Sequence, residues 1–269
     1  MPELVDTHCH IQSIGQNEGE HTTRQLWAKS GLKADQVIDA AVQVGVTRLI
    51  CVGCDLADSQ LAVDFVTERD SCWVSIGIHP HAAKHHLSGE KLAEFAALAE
   101  RPKVIAIGEC GLDYYYGHSP KADQLKVLEF QLELASTARL PLIFHVREAF
   151  DDFWPAVDNF SDVKGVLHSF TDNAANLAKG LEHGFYIGVN GIATFAKDND
   201  LLTVYKSIPL EHLLLETDAP FLTPAPHRGS INEPQRITDV AAFLAGLRDE
   251  DLEELARATT YNARRLFAI

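Results

Sequence analysis

The sequence predicts a (β/α)8 TIM barrel, one domain over residues 1–269, on three observations. Short β-branched runs alternate eight times with longer amphipathic stretches, the signature of βα units. The runs are apolar almost throughout, as strands of a parallel sheet buried on both faces must be. Acids and histidines recur where the runs end, and a barrel of this kind gathers its strand ends at one mouth. No low-complexity tract or Pro/Ser-rich linker divides the chain, and 269 residues suit one barrel-sized domain. A doubly wound open sheet is the alternative; the glycine fingerprint of a dinucleotide fold is missing after the first run.

Residues 3–8 read as the first strand. Residues 11–32 are polar without a clear period and read as a long loop or lid with one helical turn at most. A helical pattern over 35–44 precedes the second strand, 47–52, and another over 57–69 precedes the third, 73–78, which leads into His79-Pro80-His81. Ser88 is a suitable N-cap for a helix to about Glu100. The fourth strand, 103–108, ends at Glu109, and a helix over 120–138 follows. The fifth, 141–144, ends at His145. A helix over 149–159 leads to the sixth, 165–167, ending at His168. A helix over 173–183 precedes the seventh, 185–189. A short helix near 199–207 precedes the eighth, 213–216, which ends in Thr217-Asp218. Helices over 234–246 and 250–266 close the series.

Composition narrows the function. Apolar content of 46% and charged content of 23% are those of an ordinary globular protein. A net charge of −15 argues against non-specific wrapping of duplex nucleic acid, which needs Lys and Arg against phosphate. It leaves open a nucleic-acid substrate reached at one end, because bound cations reverse the local sign. There is no charged-then-apolar leader and no apolar run of about 18 residues, so a cytoplasmic protein without membrane association is expected. Cys51-x-x-Cys54 lacks a second pair, and all five cysteines are expected to be buried thiols.

His8 and His10 share one face of an extended chain, which suits two ligands on one ion. Taken with Glu109, His145, His168 and Asp218, they make six candidate ligands at strand ends. Each alone has a bland reading, such as capping a carbonyl or the next helix. Their joint placement favours a metal centre of nitrogen and oxygen donors, suited to Zn, Mn, Mg, Ni or Co. Two divalent ions are expected: His8, His10 and Asp218 on the first, His145 and His168 on the second, with Glu109 bridging. Such a pair clamps the oxygens of a phosphoryl or carbonyl group, and Asp218 can take the proton of the attacking water.

The segments around these residues resemble the TatD family of metal-dependent hydrolases. They are Asp6-Thr7-His8-Cys9-His10, Gly77-Ile78-His79-Pro80-His81, Gly108-Glu109-Cys110-Gly111-Leu112-Asp113-Tyr114, Phe144-His145-Val146-Arg147-Glu148-Ala149-Phe150 and Leu167-His168-Ser169-Phe170. With them come Leu215 to Pro224, Arg228-Gly229, Asn232-Glu233-Pro234 and the closing Asn262 to Phe267. The resemblance spans essentially the whole chain. It implies a TIM-barrel hydrolase of the amidohydrolase superfamily with deoxyribonuclease activity, a 3′→5′ exonuclease on single-stranded DNA and in some members RNA. It implies metal ligands at His8, His10, Glu109, His145, His168 and Asp218, Glu109 standing where other branches carry a carbamylated lysine, and a substrate-side histidine at His79. Residues 12–33, with His21, Arg24 and Trp27, are longer than the family's usual segment. They either alter substrate choice or form an inert surface loop.

Asp218, Glu109 and His79 are thus the candidate catalytic groups. His79, His81, Arg147, Arg228 and Tyr114 are the candidate substrate contacts. His79 can bond a phosphate oxygen or be a histidine fixed in a turn by Pro80. Arg147 can meet phosphate or pair with Glu148 and Asp113. Arg228 can fork a phosphate or form a structural salt bridge. Tyr114-Tyr115-Tyr116 can stack bases or pack at the rim. Asp113 is expected to orient a ligand histidine. A metal-dependent amidohydrolase or esterase acting on a small molecule is the competing function, and a non-catalytic barrel the third. The expected partner is DNA, with RNA as a second substrate, and a monomer is favoured.

Overall fold

The computed structural model describes residues 2–16 and 22–269; His21 lies outside the described residues. Its strands are β1 (Leu4–Cys9), β2 (Val46–Val52), β3 (Cys72–Ile76), β4 (Val104–Asp113), β5 (Leu142–Arg147), β6 (Gly165–Leu167), β7 (Tyr186–Val189) and β8 (Leu213–Leu215). They form one eight-stranded sheet in chain order, β1 to β8, with parallel pairing. The helices are α1 (Thr22–Ser30), α2 (Ala34–Gln43), α3 (Leu56–Thr67), α4 (Gly89–Leu98), α5 (Lys121–Ala138), α6 (Phe150–Val157), α7 (Ala174–Glu182), α8 (Asn199–Ser207), α9 (Ile237–Arg248) and α10 (Leu252–Phe267). The predicted (β/α)8 barrel is the observed fold. No described helix is long and apolar enough to cross a membrane. Among the described residues none of the five cysteines is in a disulfide; Cys54 is half-buried, so the expectation of burial fails at that one thiol.

The chain divides into two compact units, 1–51 with 169–269, and 52–168. In the first unit the last strand returns to the first. Cys9 bridges Ala219, Asp218 N–H donates to the His8 carbonyl at 2.8 Å, and Thr7 Oγ1 donates to the Leu215 carbonyl at 2.9 Å. The buried Asp6 carboxylate accepts from Thr217 N–H and Oγ1 at 2.9 and 2.5 Å. Burial pushes its pKa up to about 7, against the opposing pull of those bonds. The closing motif has a structural task. Asn262 Nδ2 donates to the carbonyls of Leu210 and Leu213 at 2.8 and 2.9 Å, just where β8 begins. Asn262→Leu should therefore destabilise the fold by roughly 1–3 kcal/mol, read from the midpoint of urea unfolding, because two carbonyls lose their donor.

One expectation fails in this unit. Residues 22–30 form a helix, not a loop. Leu26, Trp27 and Ala28 are consecutive, so the segment shows no 3.6-residue period; a single buried indole, Trp27, docks it, and its Nε1 donates to the His10 carbonyl at 3.0 Å.

The second unit holds β3 to β6. Here β4 continues five residues past its expected end, so Glu109 lies inside the strand. Gly111, at φ +145°, is what permits this: a Cβ there would overlap the His145 carbonyl on β5. Gly77 similarly sits against the backbone of Gly108 and Glu109. Two buried glutamines of α5 act as short strand mimics. Gln124 takes the N–H of Asp113 at 2.8 Å and returns a bond to its carbonyl at 3.0 Å; Gln131 does the same for Ile78 at 2.8 and 3.1 Å. These bonds fix the two chain segments that carry Asp113 and His79. Ser88 caps α4 as expected, accepting from Lys91 N–H.

Candidate metal-binding sites

In the first unit, strand alternation brings His8 and His10 to one side, and the β8-to-β1 bond between Asp218 and His8 brings up the carboxylate. His8 Nε2 lies 3.3 Å from His10 Nε2. Asp218 Oδ1 lies 3.2 Å from His10 Nε2 and 3.6 Å from His8 Nε2. A tetrahedral ion with bonds of about 2.1 Å has ligand–ligand edges of about 3.4 Å, so this N, N, O triangle has the size of one face of such a shell. The histidine side chains are buried, and that of Asp218 is 15% exposed. Asp218 takes a left-handed φ of +58°, which aims its side chain back at the imidazoles. Trp27 holds the His10 backbone from behind.

In the second unit, Glu109 Oε1 gathers three imidazoles: His145 Nδ1 at 2.8 Å, His79 Nε2 at 3.6 Å and His168 Nε2 at 3.7 Å. The other ring nitrogen of His145, Nε2, donates to Asp113 Oδ2 at 3.1 Å. That same oxygen lies 3.0 Å from His81 Nε2, while Asp113 Oδ1 accepts the Tyr116 N–H at 2.9 Å. Asp113 thus contacts the His145 ring on the side away from Glu109. Burial opposes ionisation of Asp113, but bonds from His145, His81 and the Tyr116 amide outweigh it and hold the carboxyl far below the usual range. Burial likewise pulls His145 down, yet the Asp113 and Glu109 carboxylates prevail and raise it to about 9. His79 is pushed well below its ordinary value, chiefly by burial.

The donor sets suit a borderline or hard divalent ion: imidazole nitrogens with a carboxylate, and no thiolate required. His79 is held otherwise than His145. Its Nδ1 accepts the His81 N–H at 3.1 Å, so the neutral ring carries its proton on Nε2.

His81 packs edge-on against His79 with ring centroids 4.3 Å apart. Arg147 is exposed and lays its guanidinium over Tyr115 at 4.0 Å and Tyr116 at 4.8 Å. Asp113, its suggested partner, is committed to the two histidines and the Tyr116 amide. Tyr114 turns aside, its hydroxyl donating to Asp152 at 2.7 Å with Lys121 Nζ 3.7 Å over its ring. In the first unit, Arg228 donates to the Thr223 carbonyl at 2.8 Å and stacks on Phe195 at 3.7 Å. Sequence reasoning missed Glu216, a buried carboxylate that accepts the Ser169 N–H at 2.7 Å and Asn190 Nδ2 at 3.2 Å. Its signal was an acid ending the apolar run Leu213–Leu215.

A family model described as TatD related DNase matches residues 5–268. An uncharacterized metal-dependent hydrolase, YabD of Bacillus subtilis (strain 168), is 37% identical over 268 residues, covering 99% of each chain. A 3′-5′ ssDNA/RNA exonuclease, TatD of Erwinia billingiae (strain Eb661), is 37% identical over 259 residues, covering 93% of this chain and 98% of its own. Among solved structures, the TatD homolog YJJV from Escherichia coli K12 superposes with a TM-score of 0.87 at 27% identity, covering 99% of this chain and 98% of that one.

Proposed function

The chain belongs to the TatD-related DNase family and is a metal-dependent hydrolase, and from that premise we propose that it hydrolyses phosphodiester bonds at the 3′ ends of single-stranded DNA, and of RNA as a second substrate. The observation that carries the reading is the pair of donor sets. His8, His10 and Asp218 would hold one ion, and Glu109, His145 and His168 would hold another. Divalent ions bound there supply Lewis acidity toward a phosphoryl oxygen and make a neighbouring water more acidic.

The chain's own groups do the rest. Asp218 directs Oδ1 at the two imidazoles, and its carboxylate has a second oxygen to accept the proton of the attacking water. His79, neutral with its proton on Nε2, donates to a phosphate oxygen or to the leaving oxygen. His81, held by Asp113, lies beside it on the substrate side, and Arg147 and Arg228 are the cations offered to phosphate.

The test is cleavage of 5′-labelled single strands of DNA and RNA by enzyme stripped with a chelator and reloaded separately with Zn, Mn, Mg, Co or Ni. A ladder receding from the 3′ end is expected with at least one ion and none after stripping. Hydrolysis of amides or carboxylic esters, with no nucleic acid cut under any loading, would overturn the reading in favour of a small-molecule hydrolase.

A further inference from the structure

The segment after β4 splits its three tyrosines. Tyr114 is engaged with Asp152 and Lys121, whereas Tyr115 and Tyr116 are 54% and 52% exposed. Burying such rings is worth about 25 cal/mol per Å2 of apolar surface, so leaving two adjacent ones in water forgoes that stabilisation. They are also organised. Their rings stand at 89° with centroids 4.9 Å apart, and the Arg147 guanidinium lies over both. The exposed His118 ring runs parallel to Tyr116, 12° out of plane at 5.7 Å.

This surface is continuous with the Glu109 set through a file of rings. Tyr116 meets His81 at 5.4 Å, His81 meets His79 at 4.3 Å, and His79 meets His145 at 4.5 Å. In a chain of net charge −15, the planar groups here are tyrosine, histidine and guanidinium. The nearby acid Asp152 is occupied by the Tyr114 hydroxyl, and Glu148 is the exposed neighbour of Arg147 in sequence.

We infer that Tyr115, Tyr116 and Arg147 form a stacking subsite for the bases of a single-stranded nucleic acid whose phosphodiester lies at the Glu109 set. The inference rests on the phosphodiesterase reading above and assigns the base contact to Tyr115 and Tyr116 in place of Tyr114. Aromatic faces and a guanidinium plane accept any base, because every base has a π-face. Only an unpaired strand can offer those faces, which makes the subsite selective for single strands and tolerant of sequence. Arg147 adds a cation beside the backbone.

The experiment compares the unaltered protein, Y115A/Y116A and Y115F/Y116F. The probes are a fluorescent 12-mer of thymidylate and a 12-mer of the same length built from abasic sugar phosphates. Binding is read by anisotropy after metal stripping, and KM and kcat after reloading. Both tyrosines are exposed, and matching unfolding midpoints will certify the fold. The alanine pair should bind the thymidylate strand roughly tenfold or more weakly. Its KM should rise with kcat little changed, its affinity for the abasic strand should stay at the parent value, and the phenylalanine pair should restore binding. Equal affinity of the alanine pair and parent for thymidylate, or an equal loss on the abasic strand, overturns the subsite. A parent that cuts no phosphodiester overturns the reading beneath it, so the two failures are told apart.

Discussion

Asp218→Asn is expected to lower kcat on single-stranded DNA by roughly a thousandfold at saturating metal, with the fold intact. Asn nearly matches Asp in shape and keeps one oxygen to face His8 Nε2 and His10 Nε2, which Asp218 Oδ1 approaches at 3.6 and 3.2 Å. It also suits the backbone, because φ is +58° here and asparagine tolerates the left-handed region well. The N–H bond to the His8 carbonyl is untouched by the change. On the proposed mechanism, what is lost is the negative charge that would join the imidazoles as a ligand and the basicity that would take a proton from water. Single-turnover rates taken along a metal titration separate the two consequences, with urea unfolding alongside to read the fold. A variant within tenfold of the parent rate would remove Asp218 from the chemistry and leave it a structural residue of the β8 end.

The fold was legible because parallel strands buried on both faces must be apolar runs, and runs such as Leu49–Val52 or Leu213–Leu215 can be little else. Legibility failed where a single contact decides the outcome. In α1 the buried residue among those described is Trp27, and one residue makes no period. The extension of β4 through Glu109 to Asp113 was hidden because Gly108, Glu109 and Gly111 interrupt the apolar run, whereas Gly111 serves close approach of β5. The same holds at the candidate sites. Histidines and acids at strand ends announce themselves by position. Gln124 and Gln131 do not, since a glutamine on an amphipathic helix reads as solvent-facing until its partner, the backbone of Asp113 or Ile78, is known. Which nitrogen of His145 faces Glu109, and which tyrosine of three is held back, are likewise properties of packing that one-dimensional spacing does not contain.

If two ions bind as proposed, Asp113→Asn should weaken binding of the one at Glu109 and His145 by about 10–100-fold while the other is held as in the parent. The orientation of the new amide decides the outcome. Tyr116 N–H donates to Asp113 Oδ1 at 2.9 Å and requires an acceptor there, so the asparagine oxygen takes that place. Its NH2 then occupies the position of Oδ2, facing His145 Nε2 at 3.1 Å and His81 Nε2 at 3.0 Å. A carboxylate accepts from both rings and keeps the His145 proton on Nε2, leaving Nδ1, the atom 2.8 Å from Glu109 Oε1, with its lone pair for a cation. An amide donor reverses this: His145 must accept at Nε2, its proton moves to Nδ1, and the nitrogen that should ligate no longer can. His81→Ala provides the contrast, because it removes the other partner of Asp113 while the carboxylate still fixes the His145 tautomer. Competition against a chromogenic chelator reads both variants without reference to catalysis. Two ions held at parental affinity in Asp113→Asn, or equal losses in Asp113→Asn and His81→Ala, would show that the carboxylate supports the packing of β4 without setting the state of His145.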